Sequence, residues 1–130
     1  MKIIAHAEAA NDPLGRTLKL ANDADLARLA LEGAFEGIDR IELDFPKFTD
    51  GRAYSQAVLL RRRYRYGGDI RATGDVLIDT LVHMYRSGFT SAVLAAGVQS
   101  AAAERQFARY RAYYQGDVLQ PQPLFARAAA

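Results

Sequence analysis

IDRIELDFPKFTDGRAYSQAVLLRRRYRYGGDIRAT, residues Ile38 to Thr73, holds one strand, one helix and the start of a second strand, and its reading decides the fold. Ile41, Leu43 and Phe45 alternate with Glu42 and Asp44, the two-residue period of a strand, and Pro46 stops it. After the loop from Lys47 to Gly51, Arg52 to Tyr66 reads as a helix with Tyr54, Ala57, Val58, Leu60 and Tyr64 on one face; Arg61 falls inside that face by angle. Gly67 and Gly68 close the helix, and Asp69 to Ala72 begins the next strand.

The same unit recurs on both sides. Upstream, Thr17 to Leu20 is a short strand, and Asn22 or Asp23 can cap a helix carrying Leu26, Leu29, Ala30 and Ala34 at helical spacing, weakened or closed by Gly33 and Gly37. Downstream, Val76 to about Ser87 reads as a helix ended by Gly88. Thr90 to Ala95 reads as an apolar strand of the kind covered on both faces, and Ser100 caps a helix to about Gln115. Strands separated by helices imply crossover links, hence parallel strands and right-handed connections. The fold class expected is therefore α/β, four consecutive β/α units with a parallel sheet, open or half-barrel-like. Residues 1–15 read as an N-terminal extension, 16–115 as a single domain and 116–130 as an extended C-terminal tail with Pro121 and Pro123.

Composition narrows the function classes. The chain has 130 residues, half of them hydrophobic and a quarter charged, which suits one self-sufficient core. It has no cysteine, which removes disulfides, thiolate metal sites and cysteine nucleophiles. No metal site and no resident cofactor are expected, and a redox role would have to borrow one. The net charge of +2 is a small excess of Lys and Arg, so nucleic acid is not implied. The start lacks a signal-peptide pattern and no apolar run approaches a membrane span, so a cytoplasmic protein without membrane contact is expected.

Ligands of parallel α/β folds gather at the carboxyl ends of the strands. That rule selects Asp44 to Arg52, Arg71 to Asp75 and Ala96 to Ser100. The first loop sets Lys47, Asp50 and Arg52 around Phe45 and Phe48, a mixture suited to an anion or a partner; the same residues could equally pack, cap and face solvent. Arg71 and Asp75 could pair at the sheet's mouth with Gly74 admitting a ligand, or Gly74 could make the turn and Asp75 cap the next helix. Glu42 and Asp44 share one side of their strand, as a carboxylate pair would, though such alternation usually marks a solvated or edge face. The arginine run Arg61, Arg62, Arg63 and Arg65, interleaved with Tyr64 and Tyr66, reads mainly as a solvated helix face with one arginine over the core. His6 and His83 suggest no dyad, and no phosphate loop, dinucleotide fingerprint or nucleophile elbow is present.

The run from Phe45 to Ala57, followed by Leu59-Leu60-Arg61 and Arg71-Ala-Thr-Gly-Asp-Val-Leu77, resembles the signature of a bacterial family of unknown function, domain family 934, over about Leu18 to Tyr114. Members are typically encoded beside the sulfite reductase haemoprotein and often labelled probable oxidoreductases. The pattern falls on Phe45, Pro46, Lys47, Phe48, Thr49, Asp50, Gly51, Arg52, Tyr54, Ser55, Gln56, Arg61, Arg71, Gly74 and Asp75. Where members commonly read Arg-Cys-Gly-Phe-Asp, this chain has Arg86-Ser87-Gly88-Phe89-Thr90, which argues against a thiol redox role. The stretch before Arg16 is also short for the family. The resemblance implies an accessory or partner-binding protein of assimilatory sulfite reduction, with sulfite reductase or another sulfate-assimilation protein as partner. The ligand or partner candidates are Phe45, Lys47, Phe48, Asp50, Arg52, Gln56, Arg71, Gly74 and Asp75. The alternative is a small oxidoreductase or other enzyme acting on an anionic substrate at the strand ends, with Lys47, Arg52 and Arg71 as clamp and Asp50, Asp75 or Glu42 as acid and base. A half-barrel would also allow a homodimer.

Overall fold

Five strands, β1 (Lys2–Ile4), β2 (Thr17–Leu20), β3 (Arg40–Phe45), β4 (Asp69–Gly74) and β5 (Ser91–Val93), form one all-parallel open sheet in the order β1-β5-β4-β3-β2. The computed structural model describes residues 1–111. Helices α1 (Leu26–Leu31), α2 (Arg52–Arg62), α3 (Leu81–Ser87) and α4 (Ser100–Arg111) follow β2 to β5 in turn. The expected tail 116–130 and the last turn of the fourth helix lie outside the described residues. No described helix is long and apolar enough to cross a membrane.

From β2 to β5 the chain steps in one direction across the sheet, so right-handed links put the intervening helices on a single face. The core records this: Leu43, Ile70, Ala72 and Ala92 from the strands share one cluster with Leu26, Ala57, Leu60, Met84, Ala103 and Phe107 from the four helices. Burying a leucine such as Leu60 completely contributes about 1.5–3 kcal/mol before losses in chain entropy. The opposite side of the same strands is polar. Registered rows there are Thr17, Arg40 and Asp69, then Lys19, Glu42, Arg71, Ser91 and Lys2.

Residues 1–15 differ from the expected plain extension. Lys2 to Ile4 is the fifth strand, too short to display alternation, and the chain must then cross the whole sheet to reach β2 at the far edge. This step runs against the others, so the same handedness carries it over the polar face, where a 3-10 turn, His6–Asn11, and Asp12 lie. A second correction concerns β5. It is buried at every position, as a strand covered on both faces is, but helices supply only one cover; on the other face Ser91 is hydrogen-bonded to Arg71 and Asp69, and Val93 shares a cleft with the N-terminal arc.

Local signals account for the remaining boundaries. Asp25, not Asn22 or Asp23, caps α1, its Oδ1 accepting from Arg28 N at 3.1 Å, because Asn22 is committed to Asp50. The third helix begins late, with a 3-10 turn at Ile78–Thr80 ahead of α3. Gly88 ends α3 at φ 115°, and a Cβ there would meet Arg61 Cγ at 2.8 Å. Arg61 is the arginine drawn over the core: Nε donates to Gly88 O, and Nη1 donates to Tyr66 O and Gly68 O, tying α2 to two loops. Burial holds its pKa below the usual arginine value.

Candidate functional site

Two surfaces carry the chemistry-bearing side chains. The first is the carboxyl edge of the sheet. There Gly74 takes φ 92°, Asp75 N donates to Phe45 O at 2.8 Å, and Asp75 Oδ2 accepts from Phe48 N at 2.8 Å. The end of β4 therefore fixes the loop after β3. Asp50 fixes it from the other side. Its carboxylate accepts from Arg52 N, from the Arg52 guanidinium and from Asn22 Nδ2, and these partners, the Arg52 side chain foremost, hold its pKa down to about 2.

With Asp50 and Asp75 used inward, the loop presents Pro46, Lys47, Phe48, Thr49 and Arg52 to solvent. Phe48 is 51% exposed, a large apolar ring in a loop that also exposes Lys47 and Arg52, the latter paired with Asp50. Phe45, by contrast, is core: its ring packs edge-on against Tyr54 at 4.9 Å and tilted against Phe89 at 5.7 Å. Gln56 is buried on α2, its Nε2 donating to Ala21 O at 2.8 Å while Oε1 has no hydrogen bond among the described residues. His83 stacks flat on Tyr54 at 3.9 Å, and burial, helped by the Arg86 charge, lowers its pKa.

The second surface is the polar face. Arg71 lies here, third in β4 and 2% exposed, instead of at the strand end with Lys47, Arg52 and Asp75. It belongs to a closed ring of hydrogen bonds. Arg71 Nε donates to Ser91 Oγ, Ser91 Oγ donates to Asp69, Arg40 Nε donates to Asp69 Oδ2 at 2.7 Å, Arg40 also donates to Asp12, and Asp12 accepts from Arg71 Nη2. For Asp69, burial acts to raise the pKa, but hydrogen bonds from Thr90, Arg40 and Ser91 outweigh it and leave the group lowered. Asp12 is held down to about 2 by hydrogen bonds from Lys2 and Arg71. Two buried arginines are thus neutralised by two carboxylates, one of them delivered by the N-terminal arc.

Between arc and sheet lies a cleft of about 410 Å³, lined by Asp12, Thr17, Lys19, Arg40, Glu42, Arg71 and Thr73 among others. Neither Lys47 nor Arg52 lines it. The expected clamp of Lys47, Arg52 and Arg71 is therefore divided between two surfaces, while Lys47, Phe48, Asp50, Arg52, Gly74 and Asp75 do share one.

The family model described as Bacterial protein of unknown function (DUF934) matches residues 17–125. The chain belongs to that family. No curated protein and no solved structure matches the chain. In this DUF934 chain Asp12, Lys19, Arg40, Asp69 and Ser91 were not singled out from sequence. A signal was present: three strands carry polar residues at the same parity, Thr17 and Lys19, Arg40 and Glu42, Asp69 and Arg71, which doubly covered strands would not.

Proposed function

We propose that this chain is an accessory, partner-binding protein of assimilatory sulfite reduction, docking through the loop Pro46 to Arg52. The observation that carries the reading is the build of that loop. Asp50 and Asp75 spend their carboxylates on holding the backbone, and the outward side is an exposed phenylalanine flanked by Lys47 and Arg52. Aromatic and arginine side chains dominate the energetics of protein interfaces, and a fixed loop loses little entropy on docking. The pathway comes from the family resemblance and the company its members' genes keep. The enzyme alternative asks Lys47, Arg52 and Arg71 to share a pocket, and their division between two surfaces favours the adaptor.

The test is co-purification of the tagged full chain from cells grown on sulfate as sole sulfur source, read by mass spectrometry. Sulfite-reduction proteins are expected with the wild type and not with the folded triple variant Lys47→Ala, Phe48→Ala, Arg52→Ala. Arg71 is left untouched because it holds the sheet face together. Equal capture by both proteins, or none by the wild type, overturns the reading; turnover of sulfite by the purified chain alone replaces it with the enzyme.

A further inference from the structure

We propose that the row Lys19, Glu42, Arg71 on the polar face of the sheet binds a small carboxylate carrying a hydrogen-bond donor on the neighbouring carbon. The proposal stands apart from the docking loop. It starts from register: Lys19 pairs with Glu42 and Glu42 with Arg71 across β2, β3 and β4. Neighbouring strands lie about 4.8 Å apart, so three charges of alternating sign stand side by side. No ion pair joins them within the described residues. The side chains of Lys19 and Glu42 have no hydrogen-bonded or ionic partner there, and Arg71 spends Nε on Ser91 and Nη2 on Asp12, leaving Nη1 without a protein partner.

Arg71 is 2% exposed as a residue, but Nη1 is not an enclosed atom: it opens on the cleft as a donor that no protein group uses. The hydrogen-bonded ring through Ser91, Asp69, Arg40 and Asp12 holds the side chain, so that donor keeps a fixed position. All three residues of the row line the cleft of about 410 Å³, within the usual size of small-molecule sites. Its lining sets the ligand's charge. With the groups bonded to them counted in, Lys2, Lys19, Arg40 and Arg71 stand against Asp12, Glu42 and Asp69, an excess of one cation, which suits a carboxylate. In this proposal the carboxylate bridges Arg71 Nη1 and Lys19 Nζ. Glu42 then lies beside it and would repel a bare anion, but accepts a hydrogen bond from a hydroxyl or ammonium on the neighbouring carbon.

The test is a heteronuclear NMR titration of the full chain with four probes: glycolate, glycine, acetate and sulfate. Glycolate or glycine should shift the amide signals of Lys19, Glu42, Arg71 and Thr73 saturably and bind at least ten-fold tighter than acetate or sulfate. The tighter of the two identifies the donor as hydroxyl or ammonium. Glu42→Gln should abolish the preference over acetate, and Lys19→Gln should weaken every carboxylate. Absence of saturable shifts with all four probes overturns the proposal. So does sulfate or acetate binding as tightly as the donor-bearing probes, a comparison that decides the matter with wild-type protein even if Glu42→Gln fails to fold.

Discussion

Replacing Gly74 by alanine perturbs the junction on which the docking loop depends. A Cβ at that position would sit 2.4 Å from Phe45 O, 2.7 Å from Asp44 Oδ1 and 3.1 Å from the Phe45 carbonyl carbon, at a φ of 92°. The left-handed backbone costs a residue with a side chain about 1–2 kcal/mol. The closest clash is with main chain, which cannot turn aside as the Asp44 tip could, and relief by local shifts adds about 1–3 kcal/mol. The expected loss is therefore about 2–5 kcal/mol. At about 4 °C per kcal/mol for a domain of this size, the melting temperature should fall by roughly 8–20 °C. Because Asp75 N and Phe48 N both bond across this junction, their amides should also exchange faster than the rest of the sheet. Gly67→Ala, with nothing within 4 Å of its Cβ and no positive φ, is the control and should move stability by less than about 0.5 kcal/mol. Denaturant unfolding followed by circular dichroism measures both. A Gly74→Ala protein as stable as Gly67→Ala would refute the junction described for β3 and β4.

Arg61→Met should destabilise by about 2–4 kcal/mol in the same assay, since it strands the carbonyls of Tyr66, Gly68 and Gly88; a loss under about 0.5 kcal/mol would contradict that role. His83 has a folded pKa below its unfolded value of 6.5, so its contribution is present above that pH and lost as pH falls from 6.5 through the folded value. Melting curves across that window should slope downward toward acid, and His83→Gln should flatten them. Asp12 is lowered from 3.8 to about 2, so its hold on the arc is present above 3.8 and lost as pH falls to about 2. At neutral pH, Asp12→Asn should speed hydrogen exchange at Glu8 and Asp12 relative to β3, and unchanged exchange would show that the arc is held otherwise.

β3 and the start of α2 were legible because period and punctuation agreed: alternation from Ile41 to Phe45, a proline stop, then helical spacing to Leu60; the end expected at Gly67 falls too late, since α2 stops at Arg62 and Arg65 takes a left-handed φ of 55°. Parallel pairing followed from the helices between strands. What a linear reading could not supply was the direction of winding. Once β2 to β5 advance one way, all helices fall on one face, and the polar parity of Arg40, Asp69 and Arg71 becomes a surface instead of an edge. Asp12 escaped because its role depends on a connection that crosses the sheet, with sixty or so residues of chain between it and Arg71 on a scale no local pattern spans. Among the strand-end residues, exposure separated look-alikes: Phe45 and Phe48 are three apart in sequence, one core and one solvent-facing.

Docking through Phe48 is tested most directly by biolayer interferometry of the purified chain against immobilised sulfite reductase haemoprotein. Wild type should bind saturably. An interface anchor contributes about 2 kcal/mol or more, so Phe48→Ala, at a position with no role in the core, should weaken binding by roughly thirty-fold or more while melting within a few degrees of wild type. Undiminished binding by a folded Phe48→Ala protein, or no binding by the wild type, would contradict the account.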